Sequence, residues 1–190
     1  MKNARQPDLS VVIPCRNEAE NLAFLLDEVD TALAGRSFEV IVVDDGSTDG
    51  TSDAIDRRIA GGAAHLRCIC HERSAGQSAA IRTGALAARG AIVLTMDGDG
   101  QNDPAYLPKL VGALVAAGPK AGLAAGQRTK RTDTPMKRLS SRFANGLRRA
   151  ILRDQTSDTG CGLKAMPAEI FRRLPYFDGS HRCLPPLGLR

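Results

Sequence analysis

Residues 38–50 read Phe38-Glu39-Val40-Ile41-Val42-Val43-Asp44-Asp45-Gly46-Ser47-Thr48-Asp49-Gly50. The apolar run to Val43 is short and nearly continuous, which predicts a β-strand buried on both faces. It stops in a turn of acids, glycines and hydroxyl residues, the types that cap helices, so a helix over about residues 51–60 is expected next. Upstream, Leu9 to Ile13 is a second such run, ending at Pro14. The polar segment Arg16-Asn17-Glu18 leads from it into residues 21–34, where Leu22, Leu25, Leu26, Val29 and Leu33 recur at helical spacing. Downstream, strands are expected at Leu66 to Cys70 and Ala91 to Met96, with a helix over about residues 77–88 between them. The second of these strands ends at Asp97-Gly98-Asp99-Gly100; a helix over 105–117 and a short strand near 121–125 complete the pattern.

Strands alternating with helices at this spacing imply right-handed crossovers, hence an α/β fold with a mostly parallel sheet and helices on both faces. Such sheets bind ligands at the carboxyl ends of their strands. Here the ends carry polar clusters at Pro14 to Glu18, Asp44 to Asp49 and Asp97 to Gln101, which should converge on one rim.

The chain has 190 residues, 43% apolar and 25% charged, enough for one sizeable core and for a single domain over 1–190. Its formal charge of +5 hides a division. Residues 1–100 carry 10 basic and 15 acidic side chains, the remainder 16 and 6, which suggests different work for the two halves. With no Trp, two Tyr and five Phe, the stacking surface of a single-stranded nucleic-acid binder is poorly supplied, so no nucleic-acid partner is expected. No apolar stretch precedes Pro7, so no cleaved secretory signal is read there. The most apolar later stretch, 110–126, is broken by Pro119 and Lys120 and falls short of the ~20 residues a bilayer span needs. Five scattered cysteines fit a reducing compartment, and a cytoplasmic location is expected. His65, Cys68, Cys70 and His71 lack the spacing of a zinc knuckle, and strand alternation puts Cys68 and Cys70 on one face, with Ile69 opposite.

Residues 128–153 contain nine basic side chains and one acid, Asp133. Within 136–153, Met136, Leu139, Phe143, Leu147 and Ile151 form one helical stripe, and Arg138, Arg142, Arg149 and Arg153 another. That pattern predicts a basic amphipathic helix suited to an anionic membrane surface, or simply a solvated helix packed by its apolar stripe.

Asp97 and Asp99 flank a glycine at a strand end, with Gln101 close by; hard oxygen ligands in this pattern suit Mg²⁺ or Mn²⁺ on a diphosphate. The run lacks the later acidic ligand of a helix–loop–helix calcium site. Three segments together, Val11 to Glu18, Val42 to Thr51 and Asp97 to Pro104, resemble the family-two glycosyltransferases of the GT-A, Rossmann-like fold. The likeness is strongest to the dolichol-phosphate mannosyltransferase branch, whose members move a sugar from a nucleotide to a polyprenyl (dolichyl or undecaprenyl) phosphate. Gly126-Gln127-Arg128, Asp158 to Lys164 and Phe177 to Arg182 support that branch, so the resemblance covers nearly the whole chain.

The resemblance implies a donor and metal part over 1–127 and an acceptor- and membrane-facing part over 128–190. Pro14, Arg16, Glu18 and Asp45 would line the nucleoside pocket; Asp97, Gly98, Asp99 and Gln101 match the metal and diphosphate motif, the metal ligands being Asp97, Asp99 and Gln101. Arg128 and Lys164 would meet donor phosphates, and Asp99, Arg128 and Asp158 would be the catalytic residues, Asp158 orienting the acceptor or acting as base. His181 falls in a motif near the acceptor side, and Gly76-Gln77-Ser78 opens a helix whose amides favour an anion. The reaction implied is direct displacement with inversion. A saccharide or protein acceptor, or a nucleotide-sugar-binding module without catalysis, are the alternatives. Such relatives usually continue past the His181 region, so a chain ending at Arg190 reads as a short or C-terminally truncated form.

Overall fold

The computed structural model describes residues 6–126 and 161–175. Along the chain run β1 (Leu9–Cys15), α1 (Ala19–Ala32), β2 (Phe38–Asp44), α2 (Thr51–Ala60), β3 (Leu66–Cys70), α3 (Gln77–Ala87) and β4 (Ile92–Thr95). After a 3₁₀ turn at Pro104–Tyr106 come α4 (Leu107–Ala116), β5 (Ala124–Ala125), β6 (Lys164–Pro167) and α5 (Ala168–Arg173). The expected elements up to residue 125 are present, most with ends shifted by one to three residues. The last two were not read from sequence, because β6 has only four residues and its partners lie far away in the chain. The basic segment 136–153 lies outside the described residues, as do Arg128, Asp158 and His181.

The sheet has the order β3-β2-β1-β4-β6-β5. β1 to β4 are parallel, and β6 runs antiparallel to both β4 and β5. Strands are added on one side of β1 as far as β3; α3 then carries the chain back across the sheet to β4 on the other side of β1. This reversal opens a crevice between the carboxyl ends of β1 and β4, the place where open α/β sheets bind ligands.

The strand alternation divides the core. Leu9, Val11 and Ile13 of β1, with Val40 and Val42 of β2, face the layer that includes Leu22, Leu25 and Val29 of α1, Ile55 of α2 and Leu107 and Leu114 of α4. Val12, Ile41 and Val43 face Ala80, Ile81 and Ala85 of α3 and Phe171 of α5. Burying each such Val, Ile or Leu contributes roughly 1.5–3 kcal/mol, which is why β1 and β2 carry apolar residues on both faces. The exception lies at the opposite end from the crevice. Ser10 and Glu39, partners in register, are both buried, and the Ser10 hydroxyl donates to Glu39 at 2.7 Å. Glu39 also takes the Arg89 N–H at 2.7 Å and Arg67 Nη1 at 2.9 Å, so this acid fastens three strands at their amino ends.

Candidate active site

The crevice is a cleft of about 440 Å³ lined by Pro14, Cys15, Arg16 and Glu18 after β1, Asp45 after β2, Ser74, Gly76, Gln77 and Ala80 around the start of α3, and Asp97, Gly98 and Asp99 after β4. The three polar strand ends therefore meet on one rim, and the segment before α3 forms a further wall. A Cβ on Gly98 would stand 2.9 Å from Cys15 Cβ and 3.0 Å from the Pro14 carbonyl oxygen, so only glycine lets the β4 end close against the β1 end here.

The loops are clipped together before any ligand arrives. Asn17, at φ 57, donates its N–H to Ser47 Oγ at 2.9 Å and accepts the Thr48 N–H through Oδ1 at 2.8 Å. Asp49 accepts from the Ala19 N–H at 3.2 Å and from the Thr51 N–H at 3.0 Å, while Glu18 donates its N–H to Thr51 Oγ1 at 3.0 Å. Asp44 is buried and binds the Ser47 N–H at 2.9 Å and the Ser52 hydroxyl. Of the two adjacent acids, Asp44 thus holds the turn and Asp45 faces the cleft.

Asp45 is 5% exposed, and both its oxygens are engaged. Oδ1 takes His71 Nδ1 at 2.7 Å and the Ala75 N–H at 2.8 Å; Oδ2 takes the Ser74 hydroxyl at 2.7 Å and the Gly76 N–H at 2.9 Å. Burial alone would raise its pKa, but the hydrogen bonds from Ala75, His71, Ser74 and Gly76 outweigh it and hold the carboxyl at about 2. On the opposite wall, Asp97 accepts Gln77 Nε2 at 2.7 Å and Asn102 Nδ2 at 3.1 Å, and Asp99 Oδ1 accepts the Gln101 N–H at 3.0 Å. A Cβ on Gly162 would collide with the Asp97 carboxylate, so the turn into β6 closes tightly over that acid.

The thiol of Cys15 lies beneath the cleft and donates toward the Val43 carbonyl at 3.8 Å. Burial, then the charges of Asp44 and Glu18, push its pKa up to about 12, so at neutral pH it is a protonated thiol and no nucleophile.

Two of the described residues expected at the site are not among those lining the cleft. Lys164 does not line the cleft formed by the described residues; it lies in β6, is 5% exposed, and its Nζ donates to the Cys161 carbonyl at 2.5 Å. Gln101 also lies outside the lining, and its backbone N–H is what reaches Asp99. Pro14, Arg16, Glu18, Asp97, Gly98 and Asp99 all line the cleft. His71 and Ser74 were missed as site residues, and the side chain of Gln77 was not separated from a helix start whose amides favour an anion, because their partners Asp45 and Asp97 are 20 or more residues distant.

Among the described residues no group of three His, Cys, Asp or Glu side chains closes a cation site. Cys68 and Cys70 do share a face, with sulfurs 3.6 Å apart, but His65 pairs with Asp30 and His71 with Asp45, which leaves no zinc set. Two carboxylates at the cleft nevertheless fit an ion of the Mg²⁺ or Mn²⁺ kind, which is ordinarily held by one or two carboxylates plus water and substrate phosphate oxygens. Among the described residues no helix is long and apolar enough to cross a membrane.

Comparison with known proteins agrees with this geometry. Dodecaprenyl-phosphate galacturonate synthase of Rhizobium johnstonii is 34% identical over 181 residues, covering 94% of this chain and 53% of that protein. Glucosyl-3-phosphoglycerate synthase from Mycobacterium tuberculosis, solved with Mn²⁺ and UDP-glucose, superimposes with a TM-score of 0.70 at 27% identity, over 96% of this chain and 66% of that one. A mannosyltransferase from Pyrobaculum calidifontis, solved with GDP-mannose and Mn²⁺, gives a TM-score of 0.66 at 27% identity, over 92% and 48%. The chain spans about half the length of the curated relatives it matches. The profile described as glycosyl transferase family 2 matches residues 10–174, and with the GT-A-like sheet, the acidic rim and the match to the galacturonate synthase it establishes that the chain belongs to that family.

Proposed function

We propose that this chain is the donor-binding, catalytic part of a metal-dependent glycosyltransferase that moves a sugar from a nucleotide sugar, GDP- or UDP-linked, to a polyprenyl phosphate with inversion. The observation that carries this reading is the cleft at the β1–β4 reversal, with Asp45 on one wall and the Asp97–Asp99 pair on the other. Its volume of about 440 Å³ lies within the usual range for small-molecule sites. The polyprenyl phosphate acceptor is supported by the name of the galacturonate synthase relative, and the donor class by the UDP-glucose and GDP-mannose complexes of the structural relatives.

In this reading Pro14, Arg16 and Glu18 line the nucleoside end of the cleft, and Asp45 fixes its wall. Asp97 and Asp99 would hold Mg²⁺ or Mn²⁺, with Gly98 keeping the two strand ends close and Gln101 steadying Asp99 through its N–H. The bound ion supplies charge neutralisation at the donor diphosphate and at the departing nucleoside diphosphate. Gln77 orients Asp97 from the α3 side, so the acid is aimed before donor binds. Arg128 adds a cation for the leaving phosphates, and Asp158 orients the acceptor. Lys164, through its bond to the Cys161 carbonyl, shapes the turn that covers Asp97.

A polyprenyl phosphate oxygen is already anionic at neutral pH, so attack on the anomeric carbon needs positioning more than a general base. A protonated Cys15 thiol is a poor nucleophile, which agrees with direct displacement and not with a thioglycosyl-enzyme intermediate. The basic segment 136–153 would hold the protein at the cytoplasmic face of a membrane, where such an acceptor presents its phosphate.

A thermal-shift series with UDP-glucose and GDP-mannose, each with and without Mn²⁺, tests the reading. One donor should raise the Tm, and more strongly with metal. Asp99→Ala should leave the stability of the free protein within ~0.5 kcal/mol of wild type, as for an exposed surface site, yet lose the metal-dependent part of the shift. A donor shift that ignores Mn²⁺, or an unaltered shift in the variant, would remove the metal site from the reading.

A further inference from the structure

The acceptor sites of Asp45 are filled by the protein, and all four donors come from residues 71–76, outside the three strand-end motifs. His71 follows β3 directly, is 17% exposed at its side chain, and uses both ring nitrogens. Nδ1 meets Asp45 Oδ1 at 2.7 Å and Nε2 meets Thr83 Oγ1, in the middle of α3, at 3.0 Å. One arrangement of hydrogens satisfies every atom: Nδ1–H donates to the carboxylate, and Nε2 accepts the Thr83 hydroxyl hydrogen.

We infer that His71 is a positioning residue for the donor site, bracing Asp45 against α3 and, through Asp45, setting the wall of the cleft at residues 74–76. The inference rests on the donor reading above. A carboxylate at the end of a strand can swing about its side-chain bonds; a ring locked at both ends removes that freedom for one oxygen. The same oxygen holds the Ala75 N–H, and the other holds Gly76 and Ser74. Gly76 is followed by Gln77, whose amide reaches Asp97 at 2.7 Å across the cleft. Hydrogen bonds from Thr83 through His71 and Asp45 to the 74–76 segment, and from Gln77 to Asp97, thus make one path, joined by the Gly76–Gln77 peptide bond, from the nucleoside end of the cleft to the metal end. Without the imidazole the segment keeps its backbone bonds to Asp45 but loses the brace that fixes where Asp45 stands.

The test is donor affinity by calorimetry, with UDP-glucose and GDP-mannose in Mn²⁺, for the wild-type chain, His71→Leu and His71→Asn. Leucine fills the space and donates nothing, whereas asparagine puts an amide N–H about where Nδ1 stands. His71→Leu should weaken donor binding roughly 10-fold, the scale of one lost bond to a charged group, and His71→Asn should recover most of it. Hydrogen exchange without ligand should be faster at Ala75 and Gly76 in His71→Leu and near wild type in His71→Asn. Equal donor affinity in wild type and His71→Leu overturns this inference alone. So does equal loss in both variants, since a merely structural histidine would not be rescued by the amide. Failure of the wild-type chain to bind any donor overturns the functional reading, and this one with it.

Discussion

Asp44 and Asp45 are adjacent, identical in type and opposite in task, and only the three-dimensional partners separate them. Asp44 turns inward to Ser47 and Ser52, and Asp45 turns to the cleft and gathers four donors. That difference has a pH signature. The folded carboxyl of Asp45 sits at about 2, below its ordinary value of 3.8, so it contributes stability above pH 4 that is lost as pH falls toward 2. The contribution is about 2 kcal/mol, taking 1.36 kcal/mol per pH unit of displacement. Asp45→Asn should lower the Tm at pH 7 and flatten the acid limb between pH 4 and 2 relative to wild type. A Tm series across that window checks it; parallel limbs would show that other carboxyls carry the acid sensitivity. The strand-end acids were legible in the sequence because they interrupt apolar runs. Asn17, Asp49 and His71 were not, since a residue's worth as a clip depends on partners some 30 positions away that the fold brings near.

At the scale of elements, β1 to β4 and their helices were legible because each carries its own periodicity. β6 was hidden, because Lys164-Ala165-Met166-Pro167 has neither length nor alternation, and only its pairing with β4 makes it a strand. Its position matters to the site, for Thr95 of β4 donates to the Gly162 carbonyl at 2.8 Å and seats the turn against Asp97. Gly162→Ala should therefore push the Asp97 carboxylate from its place. The expected outcome is loss of most of the Mn²⁺-dependent donor shift with a stability cost of about 1–3 kcal/mol, read from chemical denaturation of the free protein. The opposite end of the sheet supplies the contrasting case. Glu39→Ala takes from Arg67 its carboxylate partner, though Arg67 keeps the Ala87 carbonyl, and takes from the Arg89 N–H and the Ser10 hydroxyl their acceptor. It should cost about 1–3 kcal/mol, the penalty for leaving a buried donor unsatisfied, and leave donor affinity in the folded protein unchanged. A donor affinity that fell with it would mean that the two ends of the sheet are coupled.

Across the whole molecule, the charge division of the sequence acquires a location for one half. The acids of residues 1–100 include those of the strand-end rim, Glu18, Asp45, Asp97 and Asp99, so an acidic half is what the proposed cation and nucleoside site would require. The counterpart is the basic segment, outside the described residues, where 136–153 holds Lys137, Arg138, Arg142, Arg148, Arg149 and Arg153 and no acid. Each such side chain near an anionic leaflet is worth ~1 kcal/mol, so several together suffice to bind a protein peripherally, and the attraction should fade as salt shortens the screening length. Co-sedimentation with vesicles should accordingly require anionic lipid and fall between 0.05 and 0.5 M salt. Replacing Arg142 and Arg149 by Glu should reduce the bound fraction at least as much as that change in salt, while the donor shift with Mn²⁺, which belongs to the cleft, stays at its wild-type value. Binding to neutral vesicles as strong as to anionic ones would reassign the segment to apolar insertion. Loss of the donor shift together with lipid binding would place its cations at the donor phosphates instead, because only there would the same pair of substitutions remove both.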